Sequence, residues 1–130
     1  MDALPPVASA LDGAIGLALE RAHDGSATLV LDPGPAAVVD DGSPFLHGGA
    51  LATCVDTAAW YAAESASPGG WVVSSLQLDA LRLARPEPHR VHARCLRAGR
   101  TLAVVDVTIA PAGDAERLVA VGRATLVRTA

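Results

Sequence analysis

The stretch His47-Gly48-Gly49-Ala50-Leu51-Ala52-Thr53-Cys54-Val55-Asp56 sets a His-Gly-Gly turn at the head of an Ala-rich apolar segment and places one carboxylate inside it. From Gly48 to about Ser65 the pattern predicts one long helix. Ala, Leu, Cys and Trp fill it on nearly all sides, so it is expected to be buried almost all round. Ser67-Pro68-Gly69-Gly70 is a stop signal at its end. Asp56 is the only charged side chain between Asp41 and Glu64. A carboxylate in apolar surroundings is costly unless it is paired or used, because desolvation penalises the charged form. Asp56 is therefore the first candidate for chemistry. The structural alternative is a carboxylate held by Thr53 or Thr57.

Working outward, everything after the helix reads as strand. The segments are Trp71 to Leu83, Arg90 to Arg97, Thr101 to Ala110 and Arg117 to Val127. Turns punctuate them at Pro86-Glu87-Pro88, Ala98-Gly99-Arg100 and Pro111-Ala112-Gly113. Before the helix, Ile15, Leu17 and Leu19 alternate as in a strand. His23-Asp24-Gly25 then turns the chain into a second strand at Thr28-Leu29-Val30-Leu31, making a hairpin. A helix from Leu11 to Arg21 is the competing reading. Asp32 to Pro44 reads as a loop, and residues 1–9 as a loose arm. Consecutive strands with tight turns give an antiparallel sheet, and one apolar helix must lie on one face of it. The expected class is α+β, a curved antiparallel sheet wrapped around one long buried helix, in a single domain spanning residues 1–130.

Composition narrows the function. The chain is 51% hydrophobic but only 3% aromatic, so its core must be built from Val, Leu and Ala. Such a core is modest at 130 residues, and a homodimer or dimer of dimers would bury more. A net charge of −4 argues against a general nucleic-acid binder. The apolar run from Phe45 to Ala63 is broken by His47 and Asp56, which argues against a membrane span. The N-terminus has no basic region ahead of an apolar stretch, so it does not read as a secretory signal. Two cysteines, Cys54 and Cys95, are too few for a disulfide framework or a zinc site and read as small buried side chains. The expected compartment is the cytoplasm. His89 and His92 fall on opposite faces of a strand, poor geometry for a metal. Neither a metal nor any other cofactor is expected.

Three segments together resemble the hotdog-fold acyl-CoA thioesterases, in the branch of the phenylacetyl-CoA and hydroxybenzoyl-CoA thioesterases. They are Leu46-His47-Gly48-Gly49 with Asp56 nine residues after the His, Leu78-Asp79-Ala80-Leu81-Arg82, and Arg97-Ala98-Gly99-Arg100-Thr101-Leu102-Ala103. The resemblance runs from about Ala14 to Arg128. It implies the hotdog fold and hydrolysis of an acyl-CoA, or acyl-carrier-protein, thioester. It also implies that the Gly48 N–H donates to the oxyanion, that His47 orients the carbonyl, and that Asp56 is nucleophile or general base. Residue chemistry agrees, since a helix N-terminus offers free N–H groups and a positive dipole end. Gly49 lets the substrate approach the backbone. Asp56 lies eight residues beyond Gly48, about 12 Å along one helix. One carbonyl must lie about 3 Å from both donor and nucleophile. A single helix cannot satisfy both, so the expected site is shared across a dimer two-fold.

Two positions depart from the family pattern. Asp41 stands where the family often carries Asn or Gln, and an ionised Asp cannot donate a hydrogen bond. The family's Ser or Thr on the central strand falls at Val73 by one alignment and at Ser74 by another; Ser74 is preferred, with Ser75 next. Coenzyme A carries phosphates, so Arg82, Arg97 and Arg100, with Thr101 adjacent, are candidates at the pocket mouth. Trp60, with Tyr61 and Trp71, could line an acyl pocket. Two rival readings remain: a hotdog enoyl-thioester hydratase or dehydratase, which the Gly-Gly and early Asp56 fit poorly, and a non-catalytic acyl-CoA-binding dimer, which only Asp41 favours.

Overall fold

The computed structural model describes residues 4–129. Its long helix, α2, spans Gly48–Ala66 and lies on a six-stranded sheet. The strands are β1 (Leu17–His23), β2 (Ser26–Leu31), β5 (Trp71–Ala80), β6 (His89–Ala98), β7 (Leu102–Pro111) and β8 (Ala120–Arg128). Their order is β1-β2-β6-β7-β8-β5, with every neighbouring pair antiparallel. Register shifts in β1, β5 and β6 mark bulges, which bend a sheet and raise its twist. The sheet curls around the helix as the sequence predicts.

Small side chains seat the helix. Cys54, Val55, Ala58, Ala59, Ala62 and Ala63 are fully buried on α2. Opposite them lie Leu29, Leu31, Val91, Val105, Ile109, Ala124 and Leu126. Gly122 on β8 is the tightest point. A methyl group there would lie 2.8 Å from the Gln77 carbonyl oxygen and 2.8 Å from Val55 Cγ2.

The loop before α2 is more ordered than the sequence suggests. A 3-10 turn at Pro35–Ala37 leads into β3 (Val38–Val39), which pairs with β4 (Phe45–Leu46). Leu46 N–H donates to the Ala84 carbonyl and His47 N–H to the Ala37 carbonyl, fixing where α2 begins.

Three expectations need correction. The alternation through Ile15, Leu17 and Leu19 hides a change of structure. A short helix, α1 (Ala10–Ile15), comes first, capped by Ser9, and ends at Gly16, whose φ is +90°. Only glycine fits there, because a methyl group would lie 1.9 Å from the Asp32 carbonyl oxygen. The arm is not loose over its described part. Pro5 accepts from the Tyr61 hydroxyl and Pro6 from the Leu19 N–H; residues 1–3 lie outside the described residues. Finally, α2 is not buried all round, since Gly48, Gly49 and Asp56 are exposed and Ala52, Thr53 and Trp60 are half-buried. No helix among the described residues is long and apolar enough to cross a membrane.

The Gly122 contact can be tested directly. Gly122→Ala should lower stability by about 1–3 kcal/mol through overpacking, read as a reduced midpoint in urea unfolding.

Candidate active site

The first turn of α2 is built by its cap. His47 holds extended backbone at φ −65°, ψ 136°, and its Nδ1 accepts from the Gly49 N–H at 2.8 Å. Ala50 and Leu51 donate to the His47 carbonyl. That leaves the Gly48 N–H without an acceptor among the described residues, and the space above Gly48 is open. An orphan donor at a positive helix end is suited to binding developing negative charge on an oxygen.

Two turns further on, α2 forms one wall of a cavity of about 420 Å³. Ala52, Thr53, Asp56, Thr57 and Trp60 line it from α2, Ala8, Ser9, Leu11 and Asp12 from the N-terminal segment, and Leu76 from β5. The wall is mostly apolar with an acidic patch. Asp56 sits exposed on this face, not enclosed as its sequence surroundings suggest. Its pKa is nonetheless raised above the ordinary carboxylate value, first by partial desolvation against the wall and second by the negative Asp12. Neither threonine holds it. Thr53 donates to the Gly49 carbonyl at 2.9 Å, and Thr57 to Asp12 Oδ1 at 2.6 Å.

Asp12 is the residue that the sequence reading missed. It is 2% exposed and accepts from the Ser9 hydroxyl at 2.7 Å as well as from Thr57. The signal was present: Ser9-Ala10-Leu11-Asp12 is a capping-box pattern, and Ser9 Oγ accepts from the Asp12 N–H.

Within one chain the other candidates scatter. Ser74 is the extra residue of the β5 bulge, and its hydroxyl donates to the Thr125 carbonyl. Val73 packs on the core, and Ser75 pairs with Thr125 on the exposed strand. Asp41 is exposed, accepts from the Ser43 N–H, and does not line the cavity. Arg82 follows β5, near Ala84 and hence the α2 N-terminus. Arg97, Arg100 and Thr101 lie at the opposite end of the helix. There the Thr101 carbonyl accepts from the Arg128 N–H, while the Arg128 guanidinium reaches Ser67.

Of the aromatic candidates only Trp60 lines the cavity. Tyr61 is buried against Pro5, and Trp71 is buried under the Arg128 guanidinium, 4.2 Å from its ring centroid. Among the described residues no three His, Cys, Asp or Glu side chains group as metal ligands.

The family model of the thioesterase superfamily matches residues 44–127. This chain belongs to the thioesterase superfamily. Its general activity is thioester hydrolysis. Among solved structures, a conserved protein from Pseudomonas aeruginosa matches with a TM-score of 0.85 and 26% identity, over 95% of this chain and 97% of that one. The E. coli PaaI protein from the phenylacetic acid degradation operon matches in fold, with a TM-score of 0.81 and 24% identity over 94% and 86% of the two chains. A hypothetical thioesterase from Streptococcus pneumoniae, solved with coenzyme A, shares the fold at 0.79 and 21% identity over 92% and 91%. Among curated proteins none matches the chain in sequence.

Cys54 illustrates what the site does not use. Burial, then the negative charge of Asp12, push its thiol up to about 12, so it holds its proton and is no nucleophile near neutral pH. The native protein should leave Cys54 unlabelled by a thiol reagent at pH 8 and expose it on unfolding. Because the folded value lies above the ordinary thiol value of 9.0, its contribution to stability is intact below pH 9 and is lost as pH rises through about 12. A Cys54→Ala variant should flatten that alkaline loss in a pH series of unfolding midpoints.

Proposed function

We propose that the chain hydrolyses an acyl-CoA thioester at a site completed by a second copy of itself, with the Gly48 N–H as oxyanion donor and Asp56 as nucleophile or general base. The observation that carries this reading is the pairing, on one helix, of a Gly48 N–H with open space above it and no acceptor among the described residues, and an Asp56 carboxylate that lines the cavity. A donor aimed at developing oxyanion charge is worth about 3–4 kcal/mol in such sites. Asp56 then either attacks the carbonyl carbon to give a mixed anhydride with release of the thiolate, or takes a proton from the attacking water.

The two groups are about 12 Å apart on α2, too far for one carbonyl to meet both. The second copy would bring its own Asp56 to the first copy's Gly48. Two features support that arrangement. Among the described residues β5 is a sheet edge with no strand on its outer side and with Val72 and Leu76 exposed, and it borders the open face of α2. Arg97, Arg100 and Thr101, remote from Gly48 within one chain, lie at the helix end that an antiparallel α2 would bring back toward it. Those arginines would then suit the phosphates of coenzyme A. The apolar wall of Leu11, Ala52, Trp60 and Leu76 suits an aryl or medium-length acyl group. The binding-only reading rested on Asp41, which turns away into its own loop.

The test is thiol release from aryl, short and long acyl-CoA esters. Asp56→Asn should lower kcat by about 10²-fold or more. Gly48→Pro should do the same by removing one N–H; the helix tolerates it, because Pro is favoured at the first helical position and His47 is already extended. Mixing the two dead variants then decides the sharing. A hybrid dimer regains one intact site only if Gly48 and Asp56 come from different copies. No recovery in verified hybrids would overturn the pairing of Gly48 with Asp56 at a shared site, and no release by the wild type from any ester would overturn the activity.

A further inference from the structure

Asp12 is a buried carboxylate that the hydrolysis outlined above does not use, and it faces the same cavity as Asp56. We propose that Asp12 is a positioning residue for that site, whose charge sets the field at Asp56 and whose hydrogen bonds lock the turn of α2 that carries it. This rests on the proposed role of Asp56.

The geometry supports both halves. Thr57, the residue next to Asp56, donates to Asp12 Oδ1 at 2.6 Å across the seam between α1 and α2. Oδ2 is taken by the Ser9 hydroxyl at 2.7 Å. Both oxygens are satisfied, so the carboxylate is fixed in place rather than free to swing toward solvent. A six-residue helix would be marginal alone. Here it is pinned by its cap, by Gly16 and by this bond.

The electrostatic half follows from what is missing around the pair. Among the described residues the cavity lining holds Asp12 and Asp56 and no Arg or His. Glu20 and Arg21 on β1, packed against α1, are exposed and outside the lining, as is Asp32 beyond β2. On α2 the flanking ionisable groups are Cys54 and Tyr61; burial raises both, as it raises Asp56, and the negative Asp12 adds to each in second place. Glu64, further along α2, is engaged with the Gly69 and Trp71 N–H groups. On β5, Asp79 is exposed beside Gln77. Among the described residues nothing lining the cavity screens the two acids, and a like charge at one low-dielectric wall disfavours ionisation of Asp56. A carboxylate so placed is a stronger base for water than an isolated one.

The test reads the coupling itself. Carboxyl ¹³C NMR would follow the Asp56 titration in wild type and in Asp12→Asn, which keeps the size and the acceptor oxygen for Thr57 but removes the charge. The Asp56 midpoint should fall in the variant, and the acid limb of kcat/KM should fall with it. Plateau kcat should drop several-fold, with KM changed by less than about twofold. Asp12→Glu, which restores the charge, should return the midpoint toward wild type. Thr57→Val, which removes the bond to Asp12 Oδ1 but keeps the charge, should lower plateau kcat while leaving the Asp56 midpoint near wild type, which keeps the positioning half answerable if Asp12→Asn is unstable. A purely structural role would reduce the unfolding midpoint while leaving the Asp56 titration in place, and that result would overturn the proposal. Failure of the hydrolytic reading shows separately, as absent thiol release from wild type, and the NMR titrations still decide the coupling.

Discussion

The close seating of α2 on the sheet is the constraint from which the rest follows. With hardly any aromatic side chains available, the core gains its density by bringing backbone to backbone. Alanines on the helix and Gly122 on β8 let the two layers approach until Val55 touches the strand. Interiors are packed to crystal-like density, so such a seat leaves no slack for the helix to rotate. The bonds from Leu46 to Ala84 and from His47 to Ala37 then fix its axial position. A helix held against both rotation and sliding is what a site with sub-ångström demands needs.

The same seat decides which face of α2 stays open. The sheet takes the side bearing Cys54, Val55, Ala58 and Ala62 and leaves Gly49, Thr53, Asp56 and Trp60 facing away. The N-terminal segment covers part of that face through α1, and the uncovered part, with the edge of β5, is the surface on which a second copy is proposed to sit. Sheet edges are ordinarily protected from chance pairing. β5 exposes Val72 and Leu76 beside the helix face, which is consistent with a strand meant to be covered.

The legible and illegible parts of this fold separate on physical grounds. The ends of α2 could be read because a Gly-Gly start and a Ser-Pro-Gly-Gly stop are local backbone chemistry. The strands could be read because Pro and Gly mark their turns. The open face of α2 could not be read, because alanine is equally at home against a sheet and at a half-covered surface. The strand choice between Val73 and Ser74 turned on a bulge, a one-residue insertion that alternation alone cannot locate. α1 was masked because its apolar residues run on into the β1 pattern, while its signal lay in four residues of capping chemistry. Asp12 was hidden with it, since a carboxylate three residues after a serine reads as a surface cap until Thr57 reaches it from another element. For the proposed site, Gly48 and Asp56 could be singled out from the sequence, whereas the groups that tune them lie on segments distant in the chain.

This division bears on how the proposed site would work. A helix can present a donor at its end and a carboxylate two turns later, but its rise of about 1.5 Å per residue forbids the two from meeting one carbonyl. Lengthening a side chain from aspartate to glutamate would add little more than one bond against a gap of about 12 Å. Duplicating the helix about a two-fold removes the difficulty without any change in sequence, because each copy supplies what the other lacks. The cost is that the carboxylate must sit on an exposed face until the copies meet, where water hydrates its charged form and limits how far the cavity wall alone can desolvate it. A second, buried acid held rigidly behind it opposes that tendency. Its effect adds to the partial desolvation that the cavity wall already gives Asp56 in the single chain. On this reasoning α1, though only six residues long, belongs to the proposed catalytic apparatus as much as to the fold.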